Sequence, residues 1–186
     1  MSQSFWGGDV LRKGLVFFCL AVYAVRVTLT LLVFLKRKFV WAEAAFVSLF
    51  MAFVLLAFAW GGGGNSQPVG PLEGAALGLY FYGSYLNTWS EYQRRRFKSN
   101  AANEGRLFTQ GLFRLSRNIN YFGDVVLFSG LALVTGVWAM LAIPLLMALN
   151  FVFFIIPQKE TYLSQKYGAP FDDYARHTKT LIPFVY

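Results

Sequence analysis

The chain has 186 residues, of which 56% are hydrophobic, 19% aromatic and only 14% charged, with a formal net charge of +8 and a mean hydropathy of +0.47. A soluble domain of this size cannot hide so much apolar surface, so lipid must solvate most of it. The basic residues cluster between apolar runs, which excludes the interleaved basic surface of a nucleic-acid binder and marks a membrane-topology signal.

The first predicted span, 14–35, is an apolar run interrupted by Arg26 and closed by Lys36, Arg37 and Lys38. It is too long for the apolar core of a cleavable signal peptide. It also holds the only cysteine, Cys19, which leaves no intramolecular disulfide and no cysteine-based metal site; no metal is expected. The second span, 41–60, is bracketed by Trp41 and Trp60, which a helix places about 29 Å apart, the thickness of a hydrocarbon core. Residues 61–68, with four consecutive glycines, read as a loop.

Pro71 opens a third helix whose span, 72–92, runs on past the membrane through the basic stretch 93–98. A polar loop covers 99–111. The uncharged stretch 125–156 is too long for one helix, and Thr135 and Gly136 in its middle predict a hairpin between spans 120–135 and 137–157. Residues 158–186 read as an amphipathic, water-facing helical tail. The expected fold is therefore all-α, a single polytopic membrane domain of about five transmembrane helices. Three, seven and four basic residues, 14 of the 17, fall on one side of it, which places the C-terminus in the cytosol and the N-terminus outside. A bacterial inner membrane and an endoplasmic reticulum satisfy the same rule.

Counting inward from each cytosolic helix end places Glu43, Asn87, Glu91, Asp124 and Glu160 within about 10 Å of that boundary. Ionisable groups at that depth predict a polar cavity with a function. On the third helix Tyr80, Ser84, Asn87, Glu91, Arg95 and Lys98 recur at spacings of three and four and share one face. Such a face suits a lipophilic small molecule beside a phosphorylated cofactor; the competing reading is a Glu91–Arg95 pair with topological arginines. Arg26 is expected to pair with Glu43. His177 is the only histidine. There is no Gly-rich phosphate loop and no nucleophile elbow, so any cofactor site must be built from helix ends and cytosolic loops.

Four stretches occur in order: 87–98 (NTWSEYQRRRFK), 103–106 (NEGR), 111–124 (GLFRLSRNINYFGD) and 181–184 (LIPF). Over about residues 78–186 the chain resembles the C-terminal domain of the steroid 5-alpha-reductase family and its DUF1295 relatives. That resemblance implies a multi-span helical membrane enzyme that uses NADPH to reduce an enone carbon–carbon double bond in a steroid-like or isoprenoid lipid. It places cofactor contacts at Asn87, Glu91, Lys98, Asn120, Asp124 and Tyr162, with Lys98 at a usual Arg and Asp124 at a usual Glu. The cofactor's phosphates are expected against the stretches Arg94 to Lys98 and Arg114 to Arg117, with Arg95, Lys98, Arg114 and Arg117 as ligands, and Tyr121 and Glu160 complete the cofactor set. In the N-terminal half the family's acid and proton donor have no clear counterpart; Glu43 is the candidate acid and Tyr80, Tyr82 or Tyr85 the candidate donor. An enone oxygen gains negative charge as it is reduced, and a tyrosine hydroxyl oriented by an acid stabilises it.

The chain is also similar to isoprenylcysteine carboxyl methyltransferases, through Glu160, Tyr167, Gly168, Tyr174 and Pro183. Their S-adenosylmethionine site carries Arg-His-Pro where this chain has Arg117, Asn118 and Ile119. Methyl transfer from S-adenosylmethionine is the first alternative, and a non-catalytic lipid-binding module the second.

Overall fold

The computed structural model describes residues 7–30 and 41–186, with only the backbone of residues 41–44, 46 and 47. Every regular element in those residues is helical: α1 (Val10–Leu29), α2 (Trp41–Gly64), α3 (Pro71–Ser99), α4 (Ile119–Val134), α5 (Trp138–Tyr167) and α6 (Ala169–His177), with short 3₁₀ turns at Ala101–Asn103 and Gly111–Arg114. Among the described residues α5 is the helix both long and apolar enough to cross a membrane, while Ser48–Gly64 and Ile119–Val134 are shorter apolar helices. Two compact units result, one from Met1–Tyr80 with Phe128–Pro144, the other from Phe81–Leu127 with Leu145–Tyr186. The end of the first predicted span, the basic cluster 36–38 and the side chain of Glu43 lie outside the described residues, and with them the expected Arg26–Glu43 pair.

In the first unit Asp9 caps α1 by accepting from the Arg12 amide at 2.8 Å. Sequence places Arg12 with the few far-side surface cations. The structure corrects this: its side chain is buried, with the residue 1% exposed, and paired with Glu73 at 2.8 Å. Its other donors go to backbone carbonyls, those of Val134 at 2.8 Å and of Gln67 and Pro68 at 3.3 Å. Glu73 in turn accepts from the Gly70 amide at 2.8 Å. One guanidinium thus satisfies the end of α4 and the α2–α3 connection, carbonyls that no helix partner reaches. Beside it Asn65 donates to the Thr135 carbonyl, and Gly136, at φ 67°, makes the turn out of α4 that the hairpin requires.

The four glycines are helical, not a loop. α2 continues through Gly64 because close neighbours need their missing side chains: a Cβ on Gly62 would stand 2.6 Å from Val16 and one on Gly61 2.9 Å from Met140. Packing here outweighs the entropic cost of glycine in a helix, about 1 kcal/mol per residue.

α3 buries Glu73, Ala76, Tyr80, Gly83, Asn87 and Ser90, a stripe at spacings of three and four. Against it α4 presents glycine. In the first unit a Cβ on Gly130 would meet the Ala76 carbonyl oxygen at 2.6 Å; in the second, one on Gly123 would meet the Asn87 amide at 2.7 Å and the Gly83 carbonyl oxygen at 2.8 Å. The backbones therefore touch directly, as small residues at a helix–helix interface permit.

The last predicted span does not stop at 157. Pro157 has no amide hydrogen and would clash with the preceding turn of a regular helix. A π turn at Phe151–Ile155, closed by the Ile156 amide donating to the Phe151 carbonyl, widens the helix ahead of the proline and lets α5 continue to Tyr167. The start of the predicted water-facing tail is thus the end of the apolar helix.

Two substitutions test this packing. Gly123→Ala forces a methyl group into immovable backbone and is expected to destabilise by about 1–3 kcal/mol. Gly78→Ala, on the same α3–α4 pair but with nothing near its Cβ, is expected to stabilise by up to about 1 kcal/mol. Thermal unfolding in detergent reads both. At the buried pair Glu73→Gln leaves Arg12 uncompensated and is expected to cost about 3–5 kcal/mol.

Candidate functional site

The second unit draws polar side chains from α3, the start of α4 and the end of α5 onto a core of Leu86, Phe113 and Ile119. Asn87, for which sequence offers no partner, donates to the Asn120 carbonyl at 3.1 Å, while Ser90 donates to the Asn87 carbonyl at 2.8 Å. Asn120 is only 6% exposed, and its Oδ1 has no hydrogen-bond partner. A buried acceptor without a donor costs about 1–3 kcal/mol and marks a place where a donor is missing.

One turn further along α3 Glu91 pairs with Arg94, three residues on. Lys159 from α5 donates to Asn118 Oδ1 at 2.8 Å and lies 4.6 Å from the ring centroid of Tyr121, itself stacked on Phe151 at 4.7 Å. Lys159 stands beyond the predicted span 137–157. Lys98 donates to the Arg106 carbonyl and, at 3.0 Å, to the Tyr167 hydroxyl. Arg94, Lys98 and Lys159 line one cavity of about 80 Å³, together with Asn118, Glu160 and the aromatic rings of Phe113, Tyr167 and Tyr174. Its aromatic wall is fixed by Tyr174, whose hydroxyl donates to the Phe113 carbonyl at 2.6 Å and whose burial raises its pKa.

Arg117 has a different part from the one sequence assigns. Nε and Nη2 grip both oxygens of Glu160 at 2.8 and 3.0 Å, Nη2 also reaches Thr180 Oγ1 at 3.0 Å, and Nη1 donates to the carbonyls of Ala175, at 2.9 Å, and Thr178. A guanidinium has five N–H groups, so all are spent. The adjoining Asn118 donates to the Thr180 carbonyl at 2.9 Å, and the Arg117 amide to that of Lys179 at 2.9 Å. This clamp fastens the segment after α6 to the start of α4 and leaves Arg117 no donor for a phosphate.

The remaining candidates are dispersed. Arg114 borders an exposed groove with Asp173 and His177; His177 Nδ1 lies 2.9 Å from the Asp173 carbonyl oxygen. Tyr162 is exposed and its hydroxyl accepts from Lys166 at 3.2 Å. Asp124 and Glu91 lie within electrostatic reach of Tyr121, and Arg95 is half-buried on α3. Tyr80, in the first unit, is fully buried and donates to the Cys19 carbonyl at 2.6 Å. Tyr82 and Tyr85 are half-exposed in the second, where Tyr85 stacks on Trp89 and Trp89 on Tyr92. Candidate acid Glu43 lies outside the described side chains. Among the described residues no group of His, Cys, Asp and Glu is placed to hold a metal ion.

Two polar cavity residues escape the sequence reading, Asn118 and Lys159. Each carried a signal: Asn118 lies two before Asn120, and Lys159 is the first charge after the uncharged stretch 125–156. Removing the clamp with Arg117→Ala leaves Glu160 and two helix-end carbonyls unpaired, an expected loss of about 2–4 kcal/mol. Amide hydrogen exchange is expected to rise at 178–181 and to stay unchanged at 123–130.

Known proteins bear on this geometry. The family described as "protein of unknown function (DUF1295)" matches residues 26–178. A protein named steroid 5-alpha-reductase DET2, from Solanum lycopersicum, is 32% identical over 112 residues, which cover 59% of this chain and 42% of that protein. The matched stretch thus spans less than half of that relative's length. With most of its length matched, the chain belongs to the DUF1295 family.

Proposed function

We propose that the protein is a membrane oxidoreductase that uses NADPH to reduce an enone carbon–carbon double bond in a steroid-like or isoprenoid lipid. The observation that carries the reading is the cavity where Arg94, Lys98 and Lys159 converge, with Glu160 as its one lining carboxylate, already held by Arg117. Such a cluster of cations suits the phosphates of a dinucleotide. The name of the Solanum lycopersicum relative supports the same reaction class.

The residues present fit the cofactor. Asn120 Oδ1 is a buried acceptor in want of a donor, and the carboxamide and ribose hydroxyls of a dinucleotide are donors. Asn87 holds Asn120 in place through its carbonyl. The cavity, at about 80 Å³, is smaller than the ~300–1,000 Å³ of small-molecule sites, so it seats a phosphate and the rest of the dinucleotide lies outside it or opens it. When bound, NADPH supplies a hydride. The chain must then supply a proton donor to the enone oxygen. Tyr80 has its hydroxyl committed to Cys19, which leaves Tyr82 and Tyr85 as the candidate donors on α3 with accessible hydroxyls. The lipid substrate reaches the protein from the bilayer, in a five-span arrangement with the C-terminus and the cation cavity on the cytosolic side.

Titration of the detergent-purified full chain with NADPH is expected to raise its melting temperature and to change nicotinamide fluorescence. A shift with S-adenosylmethionine in place of NADPH would replace the reading with methyl transfer, and no shift with either would leave a lipid-binding module. Lys159→Ala is expected to weaken NADPH binding about tenfold.

A further inference from the structure

The segment after α6 carries a second feature, outside the cation cavity. Its base is fixed: Leu181 is buried, and Ser116 and Asn118 both donate to the Thr180 carbonyl, at 3.1 and 2.9 Å. On that base the chain closes a tight turn, with the Leu181 amide donating to the Tyr186 carbonyl at 2.6 Å and the Tyr186 amide to that of Ile182 at 3.0 Å. Phe184 sits in the turn at φ 65°, a left-handed conformation that a bulky residue adopts only under strain.

Strain of this kind normally repays itself by burying the side chain, yet Phe184 is 80% and Val185 70% exposed. An anchored turn that holds an aromatic ring away from its own fold is built for an apolar partner. Beside it lies an open cavity of about 300 Å³, lined by Arg176, His177, Lys179, Val185 and Tyr186, with Arg117 behind them. Arg117 occupies the carbonyls of Ala175 and Thr178, so the negative end of α6 does not repel an anion there. Asp173 is the acidic neighbour, paired with Arg176 at 3.0 Å on the surface.

Cations and apolar side chains side by side match one kind of molecule, an amphiphile with an anionic head. We propose that this turn is a binding site for an anionic phospholipid of the membrane, with the headgroup phosphate against Arg176 and Lys179 and the upper acyl chains against Phe184 and Val185. The source is the bilayer the protein resides in, and the site is separate from the dinucleotide cavity.

The test uses the full chain, purified in detergent and stripped of lipid, with native mass spectrometry and thermal unfolding as readouts. Phosphatidylglycerol is expected to be retained roughly tenfold better than phosphatidylcholine of the same chains, since each interfacial cation contributes severalfold. The double variant Arg176→Ala with Lys179→Ala is expected to erase that preference. Phe184→Gly relieves the strained φ, so its melting temperature should hold or rise while phosphatidylglycerol retention falls. That opposite movement separates lost binding from lost folding. Equal retention of the two lipids by the unsubstituted chain, or a preference that survives the double variant, would overturn the proposal. So would a thermal shift that inorganic phosphate alone reproduces, which would mark an anion site, or a dimer that Phe184→Gly dissolves, which would mark a second copy as the apolar partner.

Discussion

Between α3 and α4 no side chain separates the two backbones where glycine faces glycine, and the polar chemistry of the second unit depends on that approach. Gly83 and Gly123 bring the Asn87 side chain within 3.1 Å of the Asn120 carbonyl, across a gap that a single methyl group would fill. Helices in lipid gain little by hiding apolar surface from water, so dispersion contacts and interhelical hydrogen bonds must hold them. Both are strongest at closest approach. In the first unit Gly130 repeats the device against Ala76 and Tyr80, seven residues from Gly123 on α4 as Ala76 is from Gly83 on α3. A seven-residue step keeps the small residues on one seam.

Each unit uses one arginine as a collector of backbone carbonyls. Arg12 takes those of Val134, Gln67 and Pro68, and Arg117 those of Ala175 and Thr178. Both positions are helix ends or connections, where carbonyls lack helical partners, and both arginines are neutralised by a glutamate, Glu73 or Glu160. Lysine could not do this, because its point charge lacks the planar fork that spreads five donors over separate acceptors. The carbonyls decide the role: a guanidinium so employed holds the fold and is lost to a ligand.

Sequence alone made the helical class, the Pro71 start of α3, the turn at Gly136 and the fate of Asn87 and Asn120 as buried polar residues legible, because each follows from a local rule of periodicity, capping or turn geometry. It misread the four glycines, since their helical state depends on Val16 and Met140, remote in the chain. Nor does the local composition announce that the helix holding the predicted span 137–157 runs on to Tyr167, because it gives no sign of the π turn that accommodates Pro157. In the site, sequence placed the arginines of 94–98 and 114–117 together by charge alone; only the fold shows that Lys159 borders the same cavity and that the donors of Arg117 are all engaged.

The net charge of +8 therefore has no single meaning. Arg12 is buried and spent on the fold, Arg117 is spent on the segment after α6, Arg94, Lys98 and Lys159 border a cavity, and Arg176 and Lys179 border an exposed, partly apolar turn. A positive-inside count treats these residues alike, because orientation depends on where cations fall along the chain and not on what they touch. Binding depends on the opposite: a cation attracts an anion in proportion to the donors it has left and the water it has lost. On that criterion Arg94, Lys98 and Lys159 differ in kind from Arg117, which lines the same cavity with its donors spent, and from Arg12, although all five would weigh equally in a charge balance.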